Sequence, residues 1–129
     1  MARKHFLSGS PYENEYGFAR VMRVGNTIYV AGTAPIAPDG STAAPGDPAG
    51  QARRCFEVIR KAIEEAGAVM DEVVRTRMYI TNASYADAVG RVHNEYFAET
   101  RPVATMLVVN GLVRPDFLVE IECDCVTKE

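Results

Sequence analysis

The spacing of apolar and polar residues changes period several times along the chain. Arg20-Val21-Met22-Arg23-Val24 and Thr27-Ile28-Tyr29-Val30-Ala31 read as two strands, separated by Gly25-Asn26. Two residues that tolerate positive φ between apolar runs predict a tight hairpin. Residues 34–46 carry Pro35, Pro38, Asp39-Gly40, Pro45 and Gly46, the punctuation of a surface loop. Asp47 then offers an N-cap and Pro48 a first helical residue whose missing N–H costs nothing. Cys55, Val58, Ile59, Ala62, Ile63 and Ala66 recur at helical spacing, and Gly67 is a natural stop. Val73–Ile80 reads as a strand, with Val74, Thr76, Met78 and Ile80 on one side and Val73, Arg75, Arg77 and Tyr79 on the other. A second helix is expected from Ser84, capped with Asp87, with Tyr85, Ala88, Val89, Val92 and Tyr96 as its buried stripe. Gly90 inside it costs roughly 1 kcal/mol against alanine, which points to a steric reason for its small size. Residues 104–109 and 118–126 complete the set. The last alternates strictly: Val119, Ile121, Cys123 and Cys125 on one face, Glu120, Glu122 and Asp124 on the other.

The order β-β-α-β-α-β-β is an α+β plan in which two helices cover one face of a mixed sheet. The opposite face then lacks a cover within the chain. Tyr29, Leu107 and Val109 would meet water there, so self-association is expected.

Composition narrows the function classes. The 129 residues predict one domain spanning 1–129, and 47% hydrophobic with 24% charged residues predicts a folded globule. The net charge of −3 provides no chain-wide basic footprint, so no nucleic-acid partner is expected. No apolar run approaches the ~18 residues of a membrane span, and Met1 to Leu7 lacks the apolar core of a secretory signal. No membrane partner is expected. Three cysteines make a disulfide framework improbable and a reducing cytoplasm the simplest compartment.

The acidic row Glu120, Glu122, Asp124 is the most unusual feature. Like charges two residues apart repel unless something positive faces them. Either Glu120 or Glu122 is a general base or ligand anchor in a cleft between subunits, or the row is a solvated edge or pairs with Arg20, Arg77 or Arg114. Arg75 and Arg77 are expected to seek carboxylates, from the protein or a ligand. His93 is either a proton shuttle or a packing residue. His5 falls in an expected frayed start. Cys123 and Cys125 lack a second Cys/His pair and read as small buried hydrophobes, so no metal site is expected, and no cofactor motif occurs.

Together these segments resemble the Rid (YjgF-type) family over nearly the whole chain. The resemblance rests on Val24-Gly25-Asn26-Thr27-Ile28-Tyr29-Val30-Ala31-Gly32-Thr33, the helix from Gln51 ending Glu65-Ala66-Gly67-Ala68, Val73–Ile80, Arg101-Pro102-Val103-Ala104-Thr105, and Val119-Glu120-Ile121-Glu122. It implies a chorismate-mutase-like subunit in a homotrimeric barrel, with small-molecule pockets between subunits. It also implies hydrolysis of imines and enamines, with an arginine clamping the substrate carboxylate. Ala104 stands where that arginine would be, Phe18 replaces a tyrosine and Gly90 an asparagine, while Glu120 and Gly32 persist. The chain therefore resembles a branch without the arginine. The resulting expectation is a hydrolase or deaminase-like protein acting on C–N bonds but not on 2-aminoacrylate. Glu120 would be the base or water orienter, and Phe18, Arg20, Gly32, Arg77, Gly90, His93, Ala104 and Thr105 would line the site. Arg20 or Arg77 would replace the clamp. The alternatives are a non-enzymatic ligand-binding or protein-interaction trimer and, with no support from the acidic chain, an endoribonuclease.

Overall fold

The computed structural model describes residues 2–128. The elements are β1 (Arg3–Phe6), α1 (Pro11–Tyr16), β2 (Val21–Val24), β3 (Thr27–Thr33), α2 (Pro48–Glu65), β4 (Val73–Ile80), α3 (Ala86–Phe97), β5 (Val103–Val108) and β6 (Val119–Val126). They form a six-stranded mixed sheet in the order β1-β2-β3-β6-β4-β5. All pairs are antiparallel except β4 and β5, which α3 joins as a parallel crossover. The expected α+β architecture is present, with two long helices on one sheet face.

Two elements were not expected. His5 lies in β1, paired with Met22, so the start of the chain is a sheet edge rather than a frayed end. Residues 11–16 form a short helix capped by the Ser10 side chain, with Pro11 in its first turn. Both elements are too brief for periodicity to reveal.

Elsewhere the local chemistry acts as read. Positive φ falls on Gly25 at the first central position of the hairpin turn, where a side chain would be strained. Asp47 caps α2 by accepting from the Gly50 N–H. After α2, Ala68 N–H bonds the Ile63 carbonyl, closing the helix in a Schellman-type turn at Gly67.

The buried arc of α2 is rotated from the expected stripe. Phe56 is fully buried and Val58 only half-buried, because α2 packs on α3 as well as on the sheet. Phe56 meets the rings of His93, Tyr96 and Phe97 at centroid distances of 6.0, 4.9 and 5.5 Å. The second helix is preceded by a 3-10 turn, Ala83–Tyr85, capped by Asn82, whose side chain accepts from Ser84 N–H, and the helix itself starts after Tyr85 without a side-chain cap. Ser84 is therefore not the cap. In β4 a bulge between Val73 and Arg75 flips the first residues: Val73 is buried and Val74 exposed. A Cβ at Gly90 would meet nothing within 4 Å, so no neighbour in this chain requires its small size.

Gln51 links the core to the strand that carries the acidic row. It is fully buried; its Nε2 donates to the Asp116 carbonyl at 2.9 Å, and its Oε1 accepts from Leu118 N–H at 2.8 Å. Both groups stand just before β6. Gln51→Leu leaves both without partners at nearly unchanged volume. It is expected to cost about 2–4 kcal/mol, measured by urea unfolding. A loss below half a kcal/mol would show that these bonds do not anchor the segment.

Candidate functional site

The alternation of β6 turns Val119, Ile121, Cys123 and Cys125 under the helices and Glu120, Glu122 and Asp124 to the open face. The three cysteines are free and buried, and a hydrogen bond with Cys125 together with burial pushes the Cys123 thiol far above the usual range. On the open face β4 answers the acidic row residue by residue: Arg75 registers with Asp124, Arg77 with Glu122 and Tyr79 with Glu120. Arg75 lies 3.7 Å from Asp124, and Arg77 lies 3.9 Å from Glu122 and 3.7 Å from Asp124. The Tyr79 hydroxyl donates to Glu122, which raises the tyrosine pKa. The pairing alternative for the row thus holds for Glu122 and Asp124, through Arg75 and Arg77.

Glu120 differs. Among the described residues no cation lies within 4 Å of its carboxylate. Burial raises its pKa above the ordinary carboxylate value; Arg20 opposes that rise and Glu122 adds to it. It lines a cavity of about 410 Å³ with Gly32, Tyr79, Val109, Gly111, Leu112 and Glu122. Val109 lies here, just past the end of β5, rather than in the strand.

Gly32 makes room for this carboxylate. It sits in the irregular register between Val30 and Thr33, where β3 departs from β6. A Cβ on Gly32 would stand 2.5 Å from Glu120 Oε2. Arg20 fixes the same stretch from the other side: its Nη1 donates to the Gly32 carbonyl at 3.1 Å and to Thr33 Oγ1 at 2.8 Å. The buried Glu13 acts on Arg20 electrostatically. Its carboxylate accepts from Ser8 N–H and Ser8 Oγ–H and ties down the N-terminal segment. Sequence reasoning missed Glu13, because a glutamate in a short polar stretch gives no sign of burial.

The residues expected to line one site fall into separate groups. Arg20, Gly32 and Glu120 come together. Arg77 and Thr105 share the open face in register, one strand further out. Ala104 registers with Thr76, whose hydroxyl lies 2.8 Å from His93 Nε2 on the helix side. His93 is held by that bond and by the rings of Phe56 and Phe97, and burial lowers its pKa, so it is neutral at physiological pH. Gly90 is one helical turn from it. Phe18 is exposed beyond α1. Ala104 and Glu120 thus lie on opposite sheet faces, two strand spacings apart across the sheet (~10 Å) and three residues apart along it (~10 Å). Within one chain they do not meet.

Neither proposed substitute for the clamp lines the Glu120 cavity. Arg77 is shared between two carboxylates, and Arg20 spends Nη1 on the β3 backbone and Thr33.

Comparison with known proteins agrees with the fold. A family model described as endoribonuclease L-PSP matches residues 10–127. An uncharacterized protein of Streptomyces coelicolor is 40% identical over 123 residues, covering 95% of this chain and 91% of its own. A RutC family protein of Pyrococcus abyssi is 34% identical over 105 residues, covering 81% and 82%. A crystal structure from Mycobacterium tuberculosis, described as a member of the YjgF family, superposes with a TM-score of 0.88 at 38% identity. It covers 98% of this chain and 100% of that one.

Gly32→Ala tests the close approach. The conflict is with the end of one flexible side chain, that of Glu120, so the fold should survive with a loss within about 1 kcal/mol. The Glu120 carboxylate should move, and its titration followed by carbon-detected NMR should shift. An unchanged titration curve would show that Gly32 does not shape the pocket.

Proposed function

The chain belongs to the endoribonuclease L-PSP family, the YjgF/Rid proteins, and from that premise we propose that it hydrolyses small imines at a site built around Glu120. The observation that carries this reading is a half-buried carboxylate with a raised pKa, unpaired, in a cavity next to a glycine. Such a group can take a proton from water as the water adds to the carbon of a C=N bond. It then returns that proton to the nitrogen of the carbinolamine and, once ionised again, accepts the hydroxyl proton. The C–N bond breaks as that proton leaves, ammonia departs and a carbonyl forms, and the protonated carboxyl releases its proton to solvent.

The lining favours one class of imine. Glu120 and Glu122 are the charged residues in the cavity, and no basic side chain lines it. With Ala104 in place of an arginine, a carboxylate-bearing substrate finds repulsion instead of a clamp. A neutral imine or a protonated iminium without an α-carboxylate suits this lining, so 2-aminoacrylate is a poor substrate.

Two features support completion of the site by a second copy. Tyr29 and Leu107 are each 51% exposed and Val103 is 58% exposed on the open sheet face. The Ala104–His93 group can approach Glu120 only from another chain. A homotrimer satisfies both. The non-enzymatic alternative, a ligand-binding trimer, keeps the cavity but not the proton transfer.

Ammonia release above the spontaneous rate, from matched imines with and without an α-carboxylate, tests the reading. Turnover should favour the carboxylate-free member. Glu120→Gln should lower it by about 10²–10⁴-fold. Because ionised Glu120 is the base, the rate should fall with decreasing pH, with a midpoint above the ordinary carboxylate pKa. Loss of binding rather than turnover in Glu120→Gln would favour the non-enzymatic reading, and a monomer by light scattering would remove the intersubunit site.

A further inference from the structure

The open sheet face accounts for Arg75 and Arg77, but three other arginines have no such explanation. Arg20, Arg54 and Arg114 line one groove of about 610 Å³, between residues 8–12 and the loop 33–40. No carboxylate lies within 4 Å of any of the three among the described residues. Arg53, Arg60, Arg75, Arg77 and Arg91, by contrast, each sit beside a carboxylate.

Each of the three is instead fastened to the groove's own wall. Arg20 Nη1 bonds Thr33 Oγ1 at 2.8 Å, Arg54 Nε bonds the Ile36 carbonyl at 2.7 Å, and Arg114 Nη1 bonds the Gly40 carbonyl at 3.0 Å. These bonds are to neutral oxygens and engage one nitrogen of each guanidinium. The rest of each fork keeps its donors, and the positions are set before any ligand arrives. The acids that reach this region do not cancel the charge. Asp39 lines the groove but is engaged by Ser41. Glu13 and Glu120 act on Arg20 from beyond ion-pair distance. The adjoining cavity of about 250 Å³ also carries Lys61, but there Glu57 and Glu65 provide the balance.

We infer that this groove is a binding site for a small, multiply charged anion, distinct from the Glu120 cavity. Its volume suits a small molecule. Three guanidinium forks suit the oxygens of a phosphorylated compound or of a di- or tricarboxylate. The Tyr12 ring and Pro38 provide apolar contact for the ligand's body.

Isothermal titration calorimetry with inorganic pyrophosphate and with citrate separates the two sources of anion. At least one should bind the unmodified protein. The double variant Arg54→Gln, Arg114→Gln should weaken it at least about tenfold, and Glu120→Gln should leave it within about twofold. Should the glutamine pair fail to fold, the pair Arg54→Lys, Arg114→Lys keeps the charge but not the fork and should show an intermediate loss. No heat with either anion, equal affinity in the double variant, or binding that tracks Glu120 would each overturn the assignment. Binding of an RNA oligonucleotide but of neither small anion would overturn it as well. Each outcome is independent of whether the Glu120 site hydrolyses imines.

Discussion

Strand β6 runs between β3 and β4, and Ile121, Cys123, Asp124 and Cys125 have a registered neighbour on either side. Its alternation therefore has to satisfy two environments at once. Val119, Ile121, Cys123 and Cys125 are buried beneath α2 and α3, and none is more than 2% exposed. A one-residue slip would exchange them for three carboxylates, so burial of the apolar set fixes the register of the polar one. Once that register is set, Arg75, Arg77 and Tyr79 of β4 stand across from Asp124, Glu122 and Glu120. Two carboxylates gain guanidinium partners, and Glu120, facing a tyrosine instead, has no cation within 4 Å among the described residues. The candidate base is thus the carboxylate that the neighbouring strand does not neutralise.

That logic was partly legible in the chain. The two-residue period of 118–126 and the alternation of Arg75, Arg77 and Tyr79 were visible, and so were the long helices with their caps. What periodicity could not supply was the pairing order. With β6 placed between β3 and β4, the Arg75–Asp124 contact joins residues far apart in sequence, and sequence spacing does not encode which cation faces which acid. Bulges were equally hidden. The irregularity near Val73 reverses the faces of Val73 and Val74, and the one before Thr33 brings Gly32 against Glu120. Each is a local departure from the period on which sequence reading depends. The short elements β1 and α1 lie in a polar stretch whose organiser, Glu13, is a buried charge.

The separation of Ala104 from Glu120 follows from the same topology. β5 pairs with β4 in parallel, and Ala104 falls in register with Thr76, which points toward the helices. A change of residue 104 therefore cannot alter the Glu120 cavity from within the same subunit. Whatever residue 104 contributes to chemistry at Glu120, it contributes across an interface. His93, neutral and bonded to Thr76, shares this side of the sheet, where its ring serves packing between α2 and α3.

Arg20 lies where two sites of opposite preference adjoin. One of its nitrogens secures the backbone at Gly32, and its charge favours the ionised form of Glu120. The same side chain lines the arginine groove on the far side of that backbone. The Coulomb field of a guanidinium does not distinguish between them: an anion held in the groove would offset part of the charge that favours Glu120 ionisation. Occupancy of the groove would then move the Glu120 pKa further up, and the acid limb of any activity with it. The coupling needs no conformational change, because Arg20 is already fixed by its bonds to Gly32 and Thr33 and acts on Glu120 through its field. Its magnitude is limited by the direct burial of Glu120, which remains the larger influence on that carboxylate.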